Sequence, residues 1–129
     1  MSSRKAIAIA GGGVLGTSLR WAIIELLPLA SGFPWPVFAI NLVGSAVLGV
    51  ALAEEWDHPG ARLFLHDAVA IGFCGGLTTF STFAVEVAGL GRDGRPELAL
   101  AYLTASLAAG LAAAFRHVDA LRRPLEGEP

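Results

Sequence analysis

Cysteine occurs once in this 129-residue chain, as Cys74, so no disulfide can close within it. A lone cysteine in apolar surroundings is expected to serve as a small buried hydrophobe. Charge is also scarce: Asp, Glu, Lys and Arg make up 16% of the residues, where a soluble domain carries about 25%. The formal net charge is −2, and the few Lys and Arg sit in short connectors rather than on one face, which excludes nucleic acid as a partner. His58, His66 and His117 are too dispersed to suggest a metal site. Long polar stretches, linkers and internal repeats are missing, so residues 1–129 are read as a single domain.

What the chain does have is apolar length. Hydrophobic residues make up 54% and the mean hydropathy is +0.62, which places the chain in a lipid bilayer. Four apolar runs, at about 5–27, 35–53, 63–90 and 97–115, are each long enough at 1.5 Å per residue to cross a core of about 30 Å. The expected fold is an all-α integral membrane domain with four spans. Arg4 and Lys5 ahead of an apolar run look like the start of a signal peptide. The cleavage-like Ala8-Ile9-Ala10 precedes any apolar core, however, and Arg20 interrupts the run beyond it, so the segment is expected to be retained. Pro28 closes the first span, Ser31 to Pro36 forms a turn, and Trp35 and Trp56 are expected at interface depth. The stretch from Arg116 to Pro129 reads as a polar, solvated tail.

Gly11-Gly12-Gly13-Val14-Leu15-Gly16, behind Ala6-Ile7-Ala8-Ile9-Ala10, spells out the G-x-G-x-x-G of dinucleotide-binding proteins. About 20 residues on, where that fold needs a ribose-binding acid, the chain reads Ser31-Gly32-Phe33-Pro34. A membrane-anchored dinucleotide enzyme is therefore the weaker alternative. The stronger reading is close helix packing, because Gly12 and Gly16 are four apart and let another backbone approach.

Polar groups inside the spans carry the functional signal. Arg20 lies well inside the first span, where a charge costs about 2.5 kcal/mol or more at the bilayer centre, so it should face protein, water or the nearer interface. Asn41 is the one strongly polar residue of the second span, beside a small-residue face of Gly44, Ser45 and Gly49. Its amide either bonds across helices or offers N–H donors to a passing anion. The third span contains Gly72-Phe73-Cys74-Gly75-Gly76-Leu77-Thr78-Thr79-Phe80-Ser81-Thr82-Phe83. Its paired glycines are expected to unwind the helix at Gly75-Gly76. At that depth a break is tolerated only where protein or water satisfies the freed backbone, and exposed carbonyls there are ready cation ligands. Beyond the glycines, Thr79, Thr82, Phe83 and Glu86 share one face, with Phe80 beside Phe83.

Taken together, the third-span run, Asn41-Leu42-Val43-Gly44, and Gly12-Gly13-Val14-Leu15-Gly16 with Arg20 closely resemble the Fluc/CrcB fluoride channels, over about residues 6–115. The resemblance implies an antiparallel, dual-topology homodimer in the cell inner (plasma) membrane, with two fluoride pores. It also implies a central structural sodium ion held by main-chain carbonyls that map onto Gly75 and Thr78. The pore residues map onto Asn41, Phe80, Phe83, Ser81 and Thr82, to which the shared face adds Thr79. Arg20 matches the vestibule arginine and Tyr102 a fourth-span pore residue. The positive charge is not balanced between the two sides. Arg4, Lys5, Arg62, Arg116, Arg122 and Arg123 fall on one, and only Arg92 and Arg95 on the other. The transport alternative is a four-helix exporter of drugs or other small molecules; one for cationic drugs would want a carboxylate deep in a span. Glu25 and Glu86 are the residues considered for it, and both fall near span ends.

Overall fold

The computed structural model describes residues 2–27, 32–53 and 58–122, with the side chains of 53 and 117–122 excepted. The described residues are helical apart from short connectors. Four segments are long and apolar enough to cross a membrane: Ser3–Leu26, Trp35–Leu52, Pro59–Arg92 and Pro96–Arg116. The helices are α1 (Ser3–Leu26), α2 (Trp35–Ala53), α3 (59–77), α4 (Phe80–Arg92) and α5 (Pro96–Arg122). The proposed ends at Pro28 and Ser31, the Trp56 anchor and residues 123–129 of the tail lie outside the described residues. The part of the tail that is described continues α5 to Arg122 instead of leaving the helix at Arg116. His117 to Arg122 contain neither Gly nor Pro to stop it.

Helix starts follow local chemistry. The Ser2 hydroxyl accepts from Lys5 N at α1, His58 Nδ1 accepts from Gly60 N at α3, and the Thr79 hydroxyl accepts from Thr82 N at α4. Gly94, at φ +72°, turns the chain between α4 and α5, in the left-handed region that glycine enters without a Cβ penalty.

α1 lies against α3 with backbones in contact. A Cβ on Gly12 would fall on the Ala68 carbonyl oxygen, one on Gly16 on the Phe73 carbonyl oxygen, and one on Gly76 on the Gly13 carbonyl oxygen. The close approach expected at Gly12 and Gly16 is therefore made, and the pattern that spelled a dinucleotide fingerprint sits inside a continuous helix rather than on a strand-to-helix turn. α2 packs on α5 in the same way, a Cβ on Gly49 meeting Ala114 backbone. α4 packs on α5, where Val37, Phe83 and Tyr102 form a buried apolar cluster.

The third spanning segment has 34 residues, and a straight α-helix of that count would be about 51 Å long, well beyond the bilayer core. Its first part is wound as a π-helix over the 13 residues Arg62–Cys74, a geometry otherwise met as single-turn bulges, often at functional sites. Gly75 and Gly76 then continue helically to Leu77. The extended backbone comes two residues later than the glycines suggested, at Thr78 (φ −75°, ψ 153°) and Thr79 (φ −146°, ψ 119°). The physical reason is packing: Gly76 is glycine because α1 presses on it, with Gly13 O and Thr17 N at the position of a Cβ.

Candidate functional site

The two extended residues leave backbone groups without helical partners, and side chains from α1 and α2 supply them. Asn41 clamps Thr79 from both sides: its Nδ2 donates to Thr79 O at 3.1 Å, and Thr79 N donates to Asn41 Oδ1 at 2.8 Å. Arg20 Nη1 donates to Thr78 O at 3.0 Å, and Thr17 Oγ1 to Gly76 O at 3.5 Å. Cys74 O accepts both Thr78 N and the Thr78 hydroxyl, at 3.0 and 2.9 Å. Asn41 thus does the cross-helix work open to it from its sequence position, and one of its two amide N–H groups remains beyond the bond to Thr79.

Beside the interruption lies a groove of about 360 Å³, walled by Asn41, Gly75, Thr78, Thr79, Phe80 and Phe83 and completed from α2, α3 and α5. Phe83 is 5% exposed and Phe80 79% exposed, so one ring belongs to the core and the other stands in the open. Their centroids are 6.0 Å apart with planes tilted by 48°. Tyr102, fully buried, meets Phe83 edge-on at 5.0 Å, and its hydroxyl donates to Glu86 Oε2 at 2.7 Å. Tyr102 therefore lies behind Phe83, holding that ring in place. Ser81 and Thr82 belong to the Thr79 hydroxyl network: Thr79 Oγ1 donates to Thr82 Oγ1 at 3.0 Å and lies 3.3 Å from Ser81 Oγ. Of the residues singled out from sequence, Asn41, Gly75, Thr78, Thr79, Phe80 and Phe83 share the groove wall. Arg20, Ser81, Thr82 and Tyr102 stand one contact away.

The groove also contains Ser106, whose buried Oγ has no hydrogen-bond partner among the described residues. Sequence reasoning noted Ser106 only as a polar position of the fourth span. The available signal was its spacing of four from Tyr102, which puts both on one face of α5. Asp67 was missed altogether. It is 3% exposed inside α3, with His66 Nδ1 at 2.9 Å from Oδ1 and Lys5 Nζ at 3.8 Å from Oδ2. A carboxylate in a spanning segment, on the same side as Lys5, was the readable sign. Of the carboxylates considered for a cation exporter, Glu25 is exposed and Glu86 accepts from Tyr102. Among the described residues no cluster of three or more His, Cys, Asp or Glu could hold a metal.

A family model described as "CrcB-like protein, Camphor Resistance (CrcB)" matches residues 7–117. The chain is 40% identical over 120 residues to a fluoride-specific ion channel FluC from Chlorobaculum tepidum, covering 89% of this chain and 92% of that one. It is 42% identical over 106 residues to one from Bordetella pertussis, covering 82% of each. With one from Serratia proteamaculans it is 42% identical over 116 residues, covering 86% of this chain and 87% of the other.

Proposed function

This chain belongs to the CrcB family, a family of channels rather than enzymes, and on that footing we propose that it lets fluoride leave the cell passively across the inner membrane. The observation that carries the reading is the groove wall, where polar side chains and ring edges stand together: Asn41, Thr79 and the neighbouring Phe80 and Phe83. Fluoride is small and holds its water strongly, so it crosses only where other donors replace that water. The second amide N–H of Asn41 is such a donor, as are the Ser81 and Thr82 hydroxyls one contact away, while the Thr79 hydroxyl, which donates to Thr82, orders them; the electropositive edges of Phe80 and Phe83 are weaker partners. Weak partners suit conduction, because an ion held too tightly does not move on. Arg20 adds a permanent positive charge near the groove, which raises the local anion concentration.

The groove is open on one side, and Phe80 and Gly75 lie exposed there. Two copies in opposite orientation would close it, giving one groove each and so two pores per homodimer. The broken third spans of the two copies would then meet. The sodium ion of the family would bind there through the carbonyls of Gly75 and Thr78. The chain's donor set fits it: a hard monovalent cation takes main-chain oxygens, and a Cβ on Gly75 would meet nothing within 4 Å, leaving room beside it. Such an ion supplies a fixed positive charge that ties two chains together.

Purified protein in liposomes loaded with fluoride tests the reading directly. A fluoride electrode should record rapid release once the potassium gradient is short-circuited with valinomycin, and chloride under the same conditions should stay inside. Vesicles that retain fluoride as protein-free ones do would end the proposal.

A further inference from the structure

The chain's own donors claim most of the carbonyls around the interruption: Thr17 takes Gly76 O, Arg20 takes Thr78 O and Asn41 takes Thr79 O. Of the two oxygens assigned above to sodium, Thr78 O therefore already faces a cation, the Arg20 guanidinium at 3.0 Å. Among the described residues no carboxylate comes within ion-pairing distance of this arginine, and it is half-buried. A carbonyl oxygen has two lone pairs, so it can accept the guanidinium N–H and ligate a metal ion at once. Two positive charges on one oxygen are then only about 5 Å apart, in a region where salt screens poorly, and they repel.

We propose that Arg20 and the sodium ion oppose one another at the Thr78 carbonyl. The guanidinium weakens the cation site, and by reciprocity a bound cation loosens the guanidinium from the interruption. The inference rests on the sodium reading of Gly75 and Thr78. Its consequence is a link between the cation that ties two chains together and the charge that attracts anions. With sodium in place, Arg20 is held less firmly to the backbone and is freer to face an incoming anion.

The thermal-unfolding midpoint of the purified dimer, followed against sodium concentration with N-methylglucamine keeping ionic strength constant, reads the opposition without any flux measurement. The wild type should gain stability saturably. Arg20→Gln keeps an N–H donor for Thr78 O but removes the charge, and should reach half-saturation at a sodium concentration at least tenfold lower. Arg20→Lys, which keeps the charge, should stay near the wild type. A wild type that responds while Arg20→Gln saturates at the same or a higher concentration overturns the opposition and leaves the sodium site standing; a wild type with no response removes both. The wild type alone gives a second reading. Phenylglyoxal should modify the Arg20 peptide faster in sodium than in N-methylglucamine, and an equal or slower rate overturns the proposal.

Discussion

Phe80 and Phe83 are three positions apart on one helix face, yet one is 79% exposed and the other 5%, so the same substitution asks different questions of each. Phe83→Ile loses the edge contact with Tyr102 and the tilted ring contact with Phe80, each worth about 0.5–1.5 kcal/mol, and should lower the unfolding midpoint in detergent as well as the fluoride flux. Phe80→Ile gives up little packing within the chain. It should leave the midpoint nearly unchanged while flux in liposomes collapses, and full flux there would return Phe80 to a packing role. Asn41 makes the opposite kind of contribution. Removing its side chain in Asn41→Ala strands the Thr79 N–H and C=O, and Thr79 is only 7% exposed, so a loss of about 1–3 kcal/mol is expected in unfolding measurements. Asn41→Asp can still accept from Thr79 N, but it sets a carboxylate oxygen against Thr79 O and a negative charge in the groove. It should reduce fluoride flux more than it reduces stability.

At the scale of elements, α1 and α3 meet backbone to backbone, and glycine positions on α1 separate cleanly around that contact. Gly12→Ala or Gly16→Ala drives a methyl into the α3 backbone and should cost about 1–3 kcal/mol, as overpacking does. Gly11, one position away, has nothing within 4 Å of a Cβ, so Gly11→Ala should stabilise the helix by about 0.5–1 kcal/mol, and thermal unfolding of the three variants side by side checks the contrast. This part of the architecture was legible from the sequence, because hydropathy and run length place four spans and a spacing of four glycine positions marks close packing. The position of the extended residues was not. Gly75-Gly76 is the obvious place for a helix to unwind, but what decides it is which residues find outside partners. Asn41 and Arg20 reach Thr79 and Thr78 from distant parts of the chain. Asp67 escaped for the same reason, since its ion pair with Lys5 joins two spans far apart in sequence. Tyr102 was matched to a pore residue by resemblance alone, and its ring contact with Phe83 and its hydroxyl bond to Glu86 are details that spacing does not reveal.

For the whole molecule, Gly75 is the position where one chain and two chains make different demands. The single chain leaves the space beside it open, so Gly75→Phe should fold with native helix content by circular dichroism. If a second copy and a cation meet there, the same variant should run as a monomer when cross-linked in membranes, and a dimer of unchanged yield would move the interface elsewhere. The interruption has a further consequence for how the protein is made. Thr78 and Thr79 cannot satisfy their own polar backbone in lipid, and their partners Arg20 and Asn41 sit on the two spans translated before them. The ribosome thus delivers the partners ahead of the backbone they satisfy. The third span, although apolar enough to cross by itself, is therefore expected to settle in lipid most readily beside the first two, so a fragment beginning at residue 58 should resist alkaline extraction from membranes less well than the full chain.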